Sequence, residues 1–124
     1  MAQYQRIRNK ARENLIVLEK GKWCASPWCH FKGLMLRTSL PADEGLIFVR
    51  RSMSVTNTTI HMLFCFFAIG VVWLDADLCV VDCKLAKPWR PLYAPKAPAQ
   101  YYLEANPPIL DVVAEGEQLI FEPH

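Results

Sequence analysis

Short apolar stretches separated by turn-forming residues run along the chain and predict a mainly β fold. Strands are predicted at 4–8, 15–19, 46–49, 71–74, 78–83, 100–105 and 118–122. Asp75-Ala76-Asp77 lies between two of them and predicts a hairpin. The run 58–67 is apolar at both odd and even positions, so we predict a central strand buried on both faces.

Two proline-containing sites predict short helices. Ser26-Pro27 is typical of a helix start, because serine accepts hydrogen bonds from first-turn amides and proline suits the first helical position. Leu40-Pro41 ends this region, which gives a helix at about 27–37. Pro107-Pro108 predicts a second, at about 108–114. The expected fold is a single domain over 1–124, β-rich α+β: a jelly-roll-like β-sandwich or partly closed barrel with one or two short helices.

Composition supports a folded core and disfavours two classes of partner. Hydrophobic residues make up 52% of the chain and charged residues 21%. The net charge of +2, from 14 basic and 12 acidic residues, is too balanced to favour nucleic acid. A basic N-terminal stretch at 6–12 is better explained as an edge strand than as an RNA-binding face. The longest apolar run, 60–74, is shorter than the roughly 20 residues of a membrane helix, so we expect no membrane span.

The five cysteines predict neither a disulfide framework nor a metal site. Their number is odd, and two of them, Cys65 and Cys79, lie inside apolar runs. Residues 1–13 are polar and carry no secretory signal, so we expect reduced thiols and a cytoplasmic location. Cys24, Cys29 and His30 could contribute to a zinc site, but no second close pair complements them. No metal and no cofactor are therefore expected.

Five side chains are candidates for a binding site at the open end of the fold. Glu104 alternates with Leu103 along a predicted strand, and an inward carboxylate needs a partner, for which Arg37 and Arg90 are the best candidates. A single ion pair that fixes the helix or the loop to the sheet is the simpler explanation of Glu104. The proline-rich loop at 87–98 combines Trp89 with Arg90, a pairing enriched at interaction surfaces. His61 completes the set, although a histidine in an apolar run is more often a hydrogen-bonded core residue.

Several segments, in order, are similar to one known family. Gly33-Leu34-Met35-Leu36-Arg37, followed by Leu40-Pro41-Ala42-Asp43-Glu44-Gly45, resembles the helix-to-strand signature of the domain-of-unknown-function 192 family. Further segments similar to it are Thr59-Ile60-His61-Met62, Val71-Val72-Trp73-Leu74-Asp75, Lys87-Pro88-Trp89-Arg90, Tyr102-Leu103-Glu104 and Gly116-Glu117. The resemblance implies a single-domain, jelly-roll-like β fold and no established reaction.

The chain departs from the family pattern at functionally relevant positions. Ala68-Ile69-Gly70 stands where one branch has Pro-Ile-Asp, so the family carboxylate is missing at Gly70. This loss calls into question any chemistry that used the aspartate. His30 occupies a position where the family usually has arginine.

The leading functional hypothesis is a non-enzymatic domain that binds a small molecule or a segment of a partner protein. Its binding residues would be Arg37, His61, Trp89, Arg90 and Glu104. One alternative is an enzyme of unknown reaction that uses His61 with Glu104 or a cysteine; phosphate-loop and serine-hydrolase motifs are absent, and the sequence favours no enzyme. Another is a structural domain without a pocket. The pattern predicts no oligomeric state.

Overall fold

Seven strands form one curled sheet. The computed structural model describes residues 3–35 and 37–124, with only the backbone at Phe31. The strands are β1 (Tyr4–Asn9), β2 (Leu15–Cys24), β3 (Glu44–Ser54), β4 (Ile69–Leu74), β5 (Val80–Ala86), β6 (Ala99–Ala105) and β7 (Leu119–Pro123). Their order across the sheet is β5-β4-β6-β3-β2-β1-β7. Only β2 and β3 run parallel; the other neighbouring pairs are antiparallel.

The two edge strands meet at one end of the sheet. The Leu119 amide donates to the Leu78 carbonyl at 2.9 Å, and the Val80 amide donates to the Glu117 carbonyl at the same distance. Cys79 and Gln118 form an isolated bridge between these contacts. The fold is therefore a half-barrel, which confirms the β-rich prediction in its partly closed barrel form.

Apolar side chains cover both faces of the sheet. One buried cluster draws on all seven strands and fills the inside of the curl, with Ile47, Val72 and Leu103 fully buried within it. The other, which includes Phe48 and Trp73, lies under the segments that cross the opposite face. The Trp73 indole donates to the Thr58 carbonyl at 2.6 Å and ties one of these segments down. The candidate site lies on this second face.

The prediction of a buried central strand at 58–67 is wrong. This segment forms a single backbone bridge, from Ile60 to Tyr93, and Phe64 has a positive φ of 61° that interrupts an extended strand. Leu63, Phe64 and Phe66 are exposed. The strand buried on both faces is β4, all six residues of which are buried, because it lies between β5 and β6.

Both helices are shorter than predicted. Helix α1 spans Pro27–Lys32, and the Ser26 hydroxyl accepts from the Cys29 amide as expected for its start. It ends at Gly33, whose φ of 45° favours glycine and whose amide bonds to the Cys29 carbonyl. The predicted end of this helix, near residue 37, takes in Leu36, and Leu36 lies outside the described residues. The second helix is a 3₁₀ turn, Pro107–Asp111. Every helix in residues 3–35 and 37–124 is too short to pass through a bilayer.

Candidate ligand-binding site

A cavity of about 370 Å³ opens on the second face of the sheet, where α1 and the segment 59–65 cross β3 and β6. This volume is in the range of small-molecule sites. Its polar and aromatic lining comes from every surrounding element: His30, Lys32, Phe48, Arg50, His61, Tyr102 and Glu104. Leu34, Ile60 and Cys65 contribute apolar wall.

The register of β3 against β6 positions the floor of this cavity. Leu46 pairs with Glu104, and Phe48 pairs with Tyr102. Since alternate residues of a strand share a face, these side chains and that of Arg50 project to the same side. The rings of Phe48 and Tyr102 stack with centroids 4.5 Å apart and planes 6° apart. The floor is therefore a rigid aromatic pair between Glu104 and Arg50.

Glu104 is largely buried, and its carboxyl has no partner among the described residues. Only 7% of the residue is exposed, and no described residue donates a hydrogen bond to its carboxyl or forms an ion pair with it. Since no buried side-chain oxygen among the described residues lacks a hydrogen-bond partner, the carboxyl oxygens remain open to the cavity. Its Oε1 lies 3.9 Å from where a Cβ on Gly33 would stand, so the glycine leaves space beside it. Burial raises the pKa of Glu104 to about 8. At neutral pH this side chain is therefore mostly a neutral acid, which can donate one hydrogen bond and accept others.

His30 is held as a neutral imidazole. Its Nε2 lies 2.9 Å from the Val49 carbonyl oxygen, and its Nδ1 lies 3.4 Å from the Tyr102 hydroxyl. A carbonyl can only accept, so Nε2 carries the proton and Nδ1 accepts from the hydroxyl. Burial, with the nearby positive charge of Arg50, lowers the pKa of His30. His30 therefore acts as a structural link between α1, β3 and β6 rather than as a proton carrier near neutral pH.

Arg50 brings a positive charge to the other end of the cavity. Its Nε donates to the Asn57 carbonyl at 2.9 Å, which fixes the guanidinium in place. No carboxylate among the described residues forms an ion pair with it. Arg50 lies four residues along β3 from Leu46, the partner of Glu104, so the two backbone positions are about 13 Å apart. The Glu104 carboxyl and the Arg50 guanidinium therefore lie towards opposite ends of the cavity floor.

The structure brings two of the five predicted site residues to this cavity. Glu104 and His61 both line it. Arg37 lines a separate groove with Trp23 and Lys22, and Trp89 and Arg90 line neither. The expected ion pair between Glu104 and Arg37 or Arg90 does not form, and both arginines are exposed. The reason is that both guanidinium groups remain in water, where they are well solvated, whereas Glu104 is largely buried.

Trp89 belongs to an exposed aromatic cluster, defined here as Phe64, Phe66 and Trp89. The Trp89 ring lies 5.2 Å from that of Phe64 and 5.7 Å from that of Phe66. Each of the three rings is about half exposed. Phe64 and Trp89 both have positive φ, 61° and 67°, which is uncommon for bulky residues. Backbone hydrogen bonds from the Met62 amide to the Arg90 carbonyl and from the Trp89 amide to the Met62 carbonyl hold the two loops together.

Two of the cysteines are not free thiols, contrary to the expectation of reduced cysteines. Cys24 and Cys29 form a disulfide across five positions, with Cα atoms 5.6 Å apart, because α1 begins just after β2 ends and turns back towards it. Cys65, Cys79 and Cys83 are free. Burial, with the charge of Glu104, raises the pKa of Cys65 to about 11, which keeps this thiol protonated and weakly nucleophilic.

The sequence did not predict Arg50 and Tyr102 as site residues, and it offered His30 as a metal ligand and as a departure from the family pattern. Tyr102 could have been found by its parity with Glu104 on the same strand. Arg50 lay beyond the predicted end of its strand at 49, whereas β3 continues to Ser54. His30 carried no signal, because its partners Val49 and Tyr102 come from distant parts of the chain.

Comparison with known families decides the classification. The sequence pattern of DUF192, described as Uncharacterized ACR, matches residues 9–121. The chain belongs to the DUF192 family. The resemblance seen in the sequence is thereby confirmed.

Relatives of this DUF192 chain occur in archaea. A UPF0127 protein of Thermococcus kodakarensis is 40% identical over 95 residues, covering 75% of this chain and 59% of that protein. A UPF0127 protein of Pyrococcus furiosus is 38% identical over 84 residues, 68% of this chain and 69% of that protein. The chain matches about three fifths of the length of the first Thermococcus relatives.

Two solved structures share the DUF192 chain's fold. A Sinorhizobium meliloti 1021 protein, described provisionally as a transcription regulator, superposes with a TM-score of 0.84 at 18% identity over 97% of this chain and 95% of its own. A protein of unknown function from Novosphingobium aromaticivorans gives 0.75 at 19% identity over 96% of this chain and 84% of its own. At these identities the likeness concerns the fold alone.

Proposed function

We propose that this DUF192 chain is a non-enzymatic domain that binds a small molecule in the cavity between Glu104 and Arg50. The observation that carries the proposal is the Glu104 carboxyl, which belongs to a residue only 7% exposed, has no partner among the described residues and faces the cavity. Because its oxygens remain open to the cavity, a ligand held there can pair with them.

The arrangement argues against a purely structural role for Glu104. A structural carboxylate is normally neutralised by an arginine or by backbone amides, as Glu122 is by Arg8 on the opposite edge of the sheet. Glu104 has neither, while the cavity beside it is large enough for a ligand. A purely structural domain would be expected to have a filled interior, whereas Glu104 lies beside a cavity.

Chemistry is the weaker alternative at the same site. The enzyme hypothesis requires a nucleophile or a base that is free near neutral pH. The raised pKa of Cys65 disfavours a thiolate nucleophile, and both ring nitrogens of His30 are engaged, with Val49 and Tyr102, which disfavours His30 as a base. We therefore propose binding without catalysis, with His61 at the mouth as a contact rather than a base.

The aromatic cluster favours a second candidate function, the binding of a partner protein. Lys87 and Arg90 flank Trp89, and both are exposed. We propose that a segment carrying apolar and acidic side chains docks here, because it would cover the rings and neutralise the two cations. Trp89→Ala should abolish the capture of such a peptide, whereas Trp28→Ala, at an exposed tryptophan on α1, should leave it unchanged. Equal losses in both variants would contradict this placement.

Partner class and location are also proposed. The balanced charge of the chain supports a small molecule or a protein segment over nucleic acid. A cytoplasmic location fits the three free thiols, while the Cys24–Cys29 disulfide fits an oxidising compartment. Alkylation of the thiols in intact cells, followed by mass spectrometry, tests this. Alkylated Cys24 and Cys29 support the cytosol, and a retained disulfide contradicts it.

The binding proposal is tested by a thermal-shift screen on the wild-type chain and on Glu104→Gln. The probes are aliphatic amines, carboxylates, amino acids and nucleosides. Glu115→Gln is the matched control, because Glu115 is an exposed glutamate that pairs with Lys96 away from the cavity. We expect compounds that raise the Tm of the wild type and of Glu115→Gln but not of Glu104→Gln. Compounds that stabilise all three proteins equally, or none at all, would overturn the proposal.

A further inference from the structure

An acidic group lies at one end of the cavity and a basic group at the other. At one end is the Glu104 carboxyl, which no described cation neutralises. At the other is the Arg50 guanidinium, which no described carboxylate neutralises. The Nε of Arg50 is committed to a carbonyl and the guanidinium also bonds to the Tyr102 hydroxyl, but a guanidinium carries five N–H donors. Its terminal nitrogens therefore retain donors for an anion.

The two groups do not neutralise each other. Their backbone positions are about 13 Å apart along the sheet, and the Phe48–Tyr102 pair lies between them. Leu34, Ile60 and Cys65 add apolar wall to the same cavity. A ligand that satisfies both ends must therefore carry a cation, an apolar centre and an anion, in that order.

Resting on the proposed function, we propose that the ligand is a zwitterion whose ammonium and carboxylate stand at the two ends of an apolar chain, as in an ω-amino acid. Its ammonium group would pair with Glu104 and its carboxylate would pair with Arg50. The size fits, since a cavity of about 370 Å³ accommodates an ω-amino acid or a dipeptide. A planar guanidinium also matches a carboxylate in a two-point contact.

Other charged groups near Glu104 do not replace the ammonium. Lys32 and His61 line the same cavity from α1 and from the segment 59–65, and neither forms an ion pair with Glu104. Both are exposed, so pairing with the buried carboxyl would require them to leave water. His30 is bound to Val49 and Tyr102. Lys32→Ala therefore serves as a control that separates a ligand site from an internal ion pair.

Proton release gives the proposal a second readout. The empty site holds Glu104 mostly protonated at pH 7, and pairing with an ammonium requires the carboxylate. The carboxyl proton then leaves to the buffer as the ligand binds. The remaining groups that face Glu104 do not account for this release: the Cys65 and Tyr102 hydrogens are held by raised pKa values, and His30 is already neutral.

The experiment is calorimetric titration at pH 7 in two buffers of different ionisation enthalpy. The probes are γ-aminobutyrate, ε-aminocaproate and glycyl-leucine, each compared with its N-acetyl and its carboxamide form. We expect the free zwitterions to bind at least about tenfold more tightly than either blocked form, with close to one proton released. Glu104→Gln should remove the preference for a free amine, while Arg50→Gln and Arg50→Lys should weaken the preference for a free carboxylate. Glu115→Gln, at an exposed glutamate away from the cavity, should change neither.

The outcomes separate this inference from the proposed function. If other probes bind in a Glu104-dependent manner while zwitterions do not, the cavity binds ligands and the zwitterion inference is wrong. If Lys32→Ala weakens binding as much as Glu104→Gln does, the carboxyl belongs to an internal pair. Equal affinity of free and blocked forms overturns the two-ended arrangement. If no probe binds, both proposals fall.

Discussion

Phe48 and Tyr102 stack face to face across the β3–β6 pair, with ring centroids 4.5 Å apart. Both residues are buried, and they are direct partners in the register of the two strands. The Tyr102 hydroxyl extends beyond the stack to His30. This single pair therefore joins the sheet, the helix and the cavity floor.

Two substitutions at Tyr102 should separate the stack from the hydroxyl. Tyr102→Phe keeps the ring and loses the hydrogen bond to His30, which should lower the free energy of unfolding by about 1 kcal/mol. Tyr102→Leu also loses the aromatic contact and leaves space, which should cost about 2–4 kcal/mol. Urea denaturation measures both values. Equal losses would mean that the stack contributes little.

The stability of the wild-type chain should fall as the pH rises from about 5 to 8. The pKa of Glu104 is about 8 in the folded chain and near 4.5 when unfolded, so in this interval the folded state holds a proton that the unfolded state has lost. The contribution is fully present below pH 4.5 and is lost as the pH approaches 8. Its slope is about 1.4 kcal/mol per pH unit at most.

Glu104→Gln should remove this pH dependence. Glutamine has nearly the same shape and does not titrate, so the difference between variant and wild type isolates Glu104. The contribution of His30 to the pH dependence of stability has the opposite sign. Its pKa is lowered, so the stability it contributes is lost as the pH falls below 6.5. Both proteins retain that effect. Parallel Tm-against-pH curves for the two proteins would contradict the raised pKa.

Reduction of the Cys24–Cys29 disulfide should destabilise α1 and the adjoining wall of the cavity. The closed loop is short, so the entropic model predicts a loss of about 2 kcal/mol. The measurement is the Tm with and without a reductant. Cys24→Ser/Cys29→Ser should be insensitive to the reductant, whereas Cys79→Ser, which changes a free cysteine, should respond like the wild type. A wild-type Tm that is unchanged on reduction would contradict the expected role of the disulfide.

Gly45→Ala should be strongly destabilising. A Cβ at Gly45 would stand 2.6 Å from the backbone carbonyl oxygen of Glu104 and 3.1 Å from the Ala105 Cβ. Because the nearest atom is backbone, β3 and β6 would have to separate, at a cost of about 1–3 kcal/mol or more. Gly116→Ala is the comparison, since no atom lies within 4 Å there and only its positive φ opposes the change. If Gly45→Ala lowers the Tm no more than Gly116→Ala does, the strands tolerate the methyl group.

Local pattern predicted much of the β structure. The first strand pair, the hairpin at 71–83 and the strands near 100–105 and 118–122 follow from short-range alternation and turn chemistry, and the structure has them at β1, β2, β4, β5, β6 and β7. The same logic failed at 58–67. There the apolar residues are shared between core contacts, such as Met62, and an exposed aromatic cluster, and a positive φ at Phe64 is not visible in an apolar pattern.

The sequence by itself determined the alternation of apolar and polar positions, the helix start at Ser26-Pro27 and membership of the DUF192 family. It also singled out Glu104 by its parity on a strand. Three features are seen only once the chain is folded: Glu104 lacks an arginine partner among the described residues, Arg50 lies at the far end of the cavity floor, and Cys24 bonds to Cys29. The reason is physical: the period of a strand fixes which face a side chain takes, whereas strand order, register and loop path fix what it meets there.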